Sequence, residues 1–331
     1  MSLKELSILS ANIGRDPGLT QGAGGNTSIK IGQSLFIKAS GKWLEHAMIQ
    51  GIFVEMDNEC LVKAVKAGEE CALSDFQRGE GARRASIETP VHAIIPQRVV
   101  VHVHSVAALS YAVQKNGREL LEGKLRSFCW SWVPYVKPGW PLAFEIAGSL
   151  TSATAVWVLQ NHGLIVAADS VADARTLLEQ VQAALGASPG DAAAGAGGAP
   201  GSIKREGYHR VSDSIVNSLA LGPRPCGDLV DGVLYPDFAV FLGRRLPVVS
   251  SEAEFSRAVN KKYPALIWPE VGVFVQDGAS PGVIQLLRCH ALLRARLPQG
   301  AMLNLLKETE IVELLDWDAE RYRQALNRGV G

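Results

Sequence analysis

The run VVVHVHS, residues 99–105, decides how this chain reads. Three successive valines favour a strand, because β-branched side chains suit a pleated, packed surface. Alternate residues of a strand share a face, so His102 and His104 project together from one side of the sheet. A second apolar run, VWVLQNHGLIVAA at 156–168, is interrupted by Asn161-His162-Gly163. Gly163 lets the backbone of a neighbour come close. An H-x-H pair alone also suits two satisfied core histidines. A third histidine in a second buried-type strand shifts the balance toward a ligand set, His102, His104 and His162, for one divalent ion. Three imidazoles with one open position form a catalytic arrangement, for which zinc is the expected metal.

Three further stretches stand upstream. GAGGNTS at 22–28 leaves backbone N–H groups unobstructed and adds the amide of Asn26, so it could cradle an anion; a tight glycine turn is the simpler alternative. It lacks the Gly-Lys-Ser/Thr ending of a Walker loop and the third glycine of a dinucleotide loop. KASGKWL at 38–44 offers a second small-residue turn, with Ser40 and Gly41 as anion contacts and Lys38 and Lys42 beside them. ASIETPVHAIIP at 85–96 brings Ser86, Glu88 and His92 just ahead of the H-x-H strand. A carboxylate beside a divalent ion can act as general base. Taken singly, Glu88 also suits the first turn of a helix, where the dipole favours negative charge.

Taken together, GGNTS, KASGK, SIETPVH, VHVHS and QNHGL resemble, in order and spacing, the class II aldolase and adducin family, typified by L-fuculose-1-phosphate aldolase and L-ribulose-5-phosphate 4-epimerase. The resemblance covers about residues 1–185. It implies an α/β, three-layer fold with a central, mainly antiparallel sheet flanked by helices, assembled as a homotetramer. It also implies a zinc-type ion on His102, His104 and His162, Glu88 as catalytic base, and Asn26, Ser40, Gly41 and Ser86 as phosphate ligands. In the implied reaction the metal chelates carbonyl and hydroxyl oxygens of a ketose phosphate and stabilises an enediolate as a carbon–carbon bond breaks. One enediolate can lead to several products, so an epimerase or a decarboxylating lyase is the alternative on this scaffold. A non-catalytic, adducin-like binding module is the rival from another class. Two departures bear on the site. Ile87 stands where the aldolases often carry a second small polar residue. The family's general acid is typically a tyrosine from a neighbouring subunit; Tyr111 and Tyr135 are available, and neither is assigned that role.

Residues 186–202, GASPGDAAAGAGGAPGS, contain too little apolar surface to offset ordering entropy and read as a flexible linker. It separates a domain at 1–185, with all the candidate ligands, from a smaller α/β module at 203–331. In the first part helices are expected at 2–13, 88–95, 105–114 and 171–185, with strands at 28–31, 34–40, 99–105, 156–159 and 163–168. In the second, a helix is expected near 206–221, with strands in PDFAVFLG and GVFVQDG. Further helices are expected in IQLLRCHALLRARL and in TEIVELLDWDAERYRQAL, and His209 and His290 read as ordinary helix residues. The ending LLDWDAERYRQAL resembles the region after the aldolase part of bifunctional rhamnulose-1-phosphate aldolase/alcohol dehydrogenases. No glycine-rich dinucleotide loop follows it, so no NAD site is expected.

Composition narrows the classes further. The 331 residues carry a formal net charge of zero, leaving no basic surplus for nucleic acid. Cys60, Cys71, Cys129, Cys226 and Cys289 are odd in number and form no C-x-x-C pair, so no disulfide framework is expected. No run approaches the roughly 18–20 apolar residues of a spanning helix. MSLKELSILSANIG does not read as a secretory signal. A cytoplasmic protein acting on a sugar phosphate or related polyol is the resulting expectation, with no membrane partner.

Overall fold

The computed structural model describes residues 2–79, 81, 83–151, 153–186, 203–222, 232–318 and 322. The chain divides into two compact units, Met1–Ser188 and Pro189–Gly331. From residue 187 on, the expected linker lies outside the described residues. No helix among the described residues is long and apolar enough to cross a membrane.

The first unit runs α1 (Leu3–Gly14), β1 (Asn26–Ile31), β2 (Ser34–Lys38), β3 (Phe53–Asp57), α2 (Asn58–Ala67), α3 (Thr89–Ile94), β4 (Val99–Val103), α4 (Val106–Ala112), α5 (Gly117–Lys124), β5 (Trp130–Val133), α6 (Trp140–Ser149), β6 (Val156–Leu159), β7 (Gly163–Ala168) and α7 (Val171–Ala184). Its seven-stranded sheet has the order β3-β2-β1-β4-β7-β6-β5. Every neighbouring pair is antiparallel except β5–β6. Helices cover both faces, as expected of the three-layer fold. Val99, Val101 and Val103 of β4 share one core with Leu6 and Leu9 of α1 and Leu178 and Val181 of α7. Val100 belongs to the opposite core, with Leu61 of α2, Val91 and Ile94 of α3 and Ile146 of α6.

That alternation positions the histidines. All five residues of β4 are buried, which ties the strand's register to both cores. A slip of one residue would carry His102 onto the face covered by α1 and α7. His102 therefore faces α3, the helix that Glu88 precedes.

The second unit runs β8 (Lys204–Arg205), β9 (Tyr208–Arg210), α8 (Ser214–Leu221), α9 (Pro236–Leu242), α10 (Glu252–Asn260), β10 (Ala265–Trp268), β11 (Gly272–Gln276), α11 (Pro281–Arg296) and α12 (Glu308–Leu315). Its strands form an antiparallel sheet ordered β10-β11-β9-β8. Three expectations are corrected here. PDFAVFLG is the helix α9, with Pro236 at its start and all seven helical residues buried. A short run buried on every side carries no period to separate helix from strand. The helix expected near 206–221 begins only at Ser214, capped by Asp213. Ahead of it, Glu206 and Gly207 both take positive φ, 45° and 79°, and turn β8 back on β9 as a two-residue hairpin. His209 consequently lies on a strand, its Nδ1 2.8 Å from Asp277 Oδ1, whereas His290 is buried in α11. GVFVQ is a strand as expected. The last expected helix is present over Glu308–Leu315, and its remainder falls largely outside the described residues.

Candidate metal and base site

Strand β4 carries His102 at its hydrogen-bonded end, opposite Ile165 of β7 and Asn26 of β1. His104 follows one residue beyond the strand, and His162 sits in the turn between β6 and β7. In that turn Asn161 adopts a left-handed φ of 55°, and the His162 N–H donates to Leu159 O at 3.1 Å. The turn brings the third imidazole back over the first two. Ring centroids lie 5.0 Å apart for His102–His104, 4.9 Å for His102–His162 and 5.3 Å for His104–His162. One nitrogen from each lies within 4.8 Å of the others, and all three residues are buried.

Glycine at 163 makes this approach possible. A Cβ there would stand 2.5 Å from Val103 O and 3.3 Å from His102 Cε1. Gly163→Ala should therefore push β7 off β4 and destabilise the fold by about 1–3 kcal/mol, the usual cost of overpacking. Chemical unfolding checks this, and a variant as stable as wild type would contradict the close packing.

The donor set suits a divalent ion. His102 Nδ1 lies 3.2 Å from Leu164 O. A carbonyl only accepts, so Nδ1 carries the hydrogen and Nε2 is the nitrogen with the ligating lone pair. That Nε2 stands 3.4 Å from Glu88 Oε2, and His162 Nε2 stands 3.5 Å from Glu88 Oε1. Three imidazoles and one flanking carboxylate are chemically apt for zinc or a related ion. Gln21 adds a brace, its Nε2 donating to His104 O at 3.4 Å.

Glu88 is not the exposed helix acid of the simpler alternative. It occupies the N-cap position of α3 without capping it, and only 5% of its surface is exposed. Burial opposes charge there, but His102, His162 and the Asn26 amide outweigh it and hold the acid below its ordinary value. Asn26 Nδ2 donates to Glu88 Oε2 at 2.7 Å and to Ser86 Oγ at 3.2 Å. Ser86 Oγ also accepts from the Glu88 N–H at 3.3 Å, which leaves its own hydrogen directed elsewhere.

The Ser-Gly turn lies beside Ser86, because Ala39 and Ala85 form an antiparallel bridge and the Ser40 N–H donates to Arg84 O. Gly41 turns with a φ of 73°. Lys38 is buried, and its Nζ donates to Ala23 O and Lys42 O, both at 2.7 Å, so it ties the glycine loop to the Ser-Gly turn. Lys42 reaches outward to Gln50 instead. Ile87 is half-buried. Sequence reasoning missed Ser28 and Gln21. Ser28 was findable, since it stands two residues from Asn26 on one strand and shares its face. Gln21 sits in a loop with no such periodicity.

A helix-covered, mainly antiparallel sheet that presents three clustered histidines and one buried carboxylate defines a class II aldolase-type protein. The family model for the Class II Aldolase and Adducin N-terminal domain matches residues 7–187, and the chain belongs to that family. The domain of this type from Thermoplasma acidophilum superposes with a TM-score of 0.51 at 25% identity, covering 56% of this chain and 92% of that one. An L-fuculose 1-phosphate aldolase structure is 20% identical with a TM-score of 0.42, over 56% of this chain and 82% of its own. The uncharacterized oxidoreductase YuxG of Bacillus subtilis (strain 168) is 30% identical over 179 residues. That match spans 49% of this chain but only 26% of the relative's length.

Proposed function

We propose that this chain is a metal-dependent lyase that cleaves a carbon–carbon bond of a ketose phosphate through an enediolate. The observation that carries the assignment is the Glu88 carboxylate, buried and within 3.5 Å of two of the three clustered imidazoles. A binding module has no need of a buried acid beside three ligands. His102, His104 and His162 would hold the ion, most simply zinc. Bound there, a divalent ion supplies Lewis acidity, polarising the ketone carbonyl and easing the negative charge that develops on its oxygen. Glu88 moves the carbon proton. In cleavage its carboxylate takes the proton of the hydroxyl that becomes the aldehyde carbonyl and gives it to the enediolate carbon, and condensation runs the two transfers in reverse. The low-dielectric surroundings keep water from competing for that proton.

Ser40, Gly41 and Ser86 form the anion end in this account. The Ser86 hydroxyl hydrogen, the Ser40 hydroxyl and the Gly41 N–H supply donors. The Lys38 ammonium adds positive charge behind them. Ile87 brings no hydroxyl to this end. One charge-assisted hydrogen bond is worth roughly 1.5–3 kcal/mol, which is about tenfold to a hundredfold in affinity. A modest preference for phosphorylated over parent ketose is therefore expected, growing by about tenfold or more in Ile87→Ser. Matched kcat/KM values in both proteins measure it. A preference above about ten-thousandfold in wild type, unaltered by the substitution, would show that the phosphate ligands are already complete.

The assignment is tested by incubating zinc-loaded protein with a panel of ketose phosphates and their unphosphorylated parents and following aldehyde release. Cleavage of at least one phosphorylated ketose, abolished by a chelator, is expected. No release across the panel, or release indifferent to the chelator, would overturn it.

A further inference from the structure

Three buried side chains, Ser28, His92 and Asn26, connect the sheet to Glu88. Asn26 and Ser28 stand on one face of β1, opposite His102 and Val100 in register. His92 stands one helical turn beyond Glu88, on α3. Ser28 Oγ lies 2.7 Å from His92 Nδ1, His92 Nε2 is hydrogen-bonded to Asn26 Oδ1, and Asn26 Nδ2 meets Glu88 Oε2 at 2.7 Å. Ser28 and His92 are wholly buried, and Asn26 and Glu88 are 3% and 5% exposed.

The hydrogens in this chain can be assigned from its acceptor end. Asn26 Nδ2 faces both Glu88 Oε2 and Ser86 Oγ, so the amide turns its carbonyl oxygen to His92. That oxygen only accepts, so His92 Nε2 carries a hydrogen. Burial pushes the His92 imidazole down to about 3, so the ring is neutral and holds just that one hydrogen. Its Nδ1 is then bare and takes the Ser28 hydroxyl. Donation runs one way, from Ser28 through His92 and Asn26 to Glu88 Oε2.

We propose that His92 is a positioning residue that fixes the Asn26 amide and, through it, the Glu88 carboxylate, leaving Oε1 as the oxygen that moves the proton. The proposal rests on Glu88 being the base of the lyase assigned above. Its first consequence is a division of labour between the two carboxylate oxygens. Oε2 is spent on Asn26, whereas Oε1 accepts no hydrogen bond among the described residues and lies on the His162 side. A second consequence concerns Asn26. Both of its amide hydrogens go to Ser86 and Glu88, so its side chain serves the base rather than a substrate phosphate. Without the His92 N–H, nothing on that side would keep the amide from rotating to face the carboxylate with its own oxygen. Misplacement by about an ångström can cost on the order of a hundredfold in rate.

Two measurements test this. In the wild-type protein, 15N spectra of labelled histidine, with the His92 signals identified by their loss in His92→Gln, should show a neutral Nε2–H ring with unprotonated Nδ1. A ring protonated at Nδ1 overturns the proposal without any assay of activity. The second measurement follows solvent deuterium entering dihydroxyacetone phosphate, a three-carbon ketone phosphate with the required carbonyl and hydroxyl, on the zinc-loaded protein. His92→Leu should lower kcat for exchange by about tenfold to a hundredfold, with KM and zinc content unchanged. His92→Gln, which keeps an N–H directed at Asn26, should recover to within about fivefold of wild type, a rescue that a merely space-filling role would not predict. Should His92→Leu fail to fold, Ser28→Ala removes only the far hydroxyl and should still slow exchange by about threefold or more. Exchange that is lost in Glu88→Gln but untouched in the foldable His92 and Ser28 variants overturns the positioning role alone. Where wild type shows no exchange, the same variants are compared on the ketose phosphate whose aldehyde release the panel detects; no exchange together with no release overturns the lyase assignment, and this proposal with it.

Discussion

Replacing His162 by alanine is expected to strip the protein of its metal. Wild type should carry about one divalent ion per chain after gel filtration, and His162→Ala less than about a tenth of that. The physical reason is the ligand count. His102 and His104 come from one strand end and converge only where His162 is folded back over them by the β6–β7 turn. With two ligands left, the ion gives up a bond and the site loses the closed side that orients the remaining imidazoles. Even an outer-shell partner of a ligand is typically worth tenfold to a hundredfold in affinity, so loss of a ligand itself should cost at least that. Elemental analysis of the purified proteins is the measurement, with His209→Ala in the second unit as a control that keeps its metal. Full occupancy in His162→Ala would remove the triad from the account.

Glu88→Gln should have the second large effect, and a cleaner one. Glutamine has nearly the same shape and can still pair with Asn26, so fold and metal content should persist. The variant has no carboxylate to accept a proton, and proton transfer by a positioned side chain typically contributes a hundredfold to ten-thousandfold. A loss of about a hundredfold or more in deuterium exchange into dihydroxyacetone phosphate is expected. Unchanged turnover in a folded, metallated variant would return Glu88 to the beginning of α3, where its charge merely favours the helix dipole.

The parts of this molecule that were legible in its sequence are those with a period or a steric demand. VVVHVHS alternates between two cores, so the strand and the shared face of its histidines followed from the period of two. Gly163 was readable because only glycine tolerates that approach to Val103. The ordered motifs carried the fold, since the residues between them are strand and helix of ordinary composition. PDFAVFLG was not legible, because a helix buried on all sides shows no polar stripe. The Glu206–Gly207 turn was missed because its strands are only two and three residues long, too short to alternate visibly. The base network was half legible. Glu88 and His92 stood in the same motif, one helical turn apart, but their link to Asn26 and Ser28 depends on β1 lying next to β4. Only the folded sheet provides that neighbour.

The central claim is that metal on the three histidines and the proton moved by Glu88 act together. It is tested most directly by stripping the wild-type protein with a chelator, returning zinc in steps and following deuterium exchange into dihydroxyacetone phosphate at each step. The account predicts no exchange in stripped protein, a rise in proportion to added zinc, and a plateau at about one equivalent per chain. Exchange that persists at full rate in the stripped protein, or that stays absent when one equivalent has bound, would contradict it.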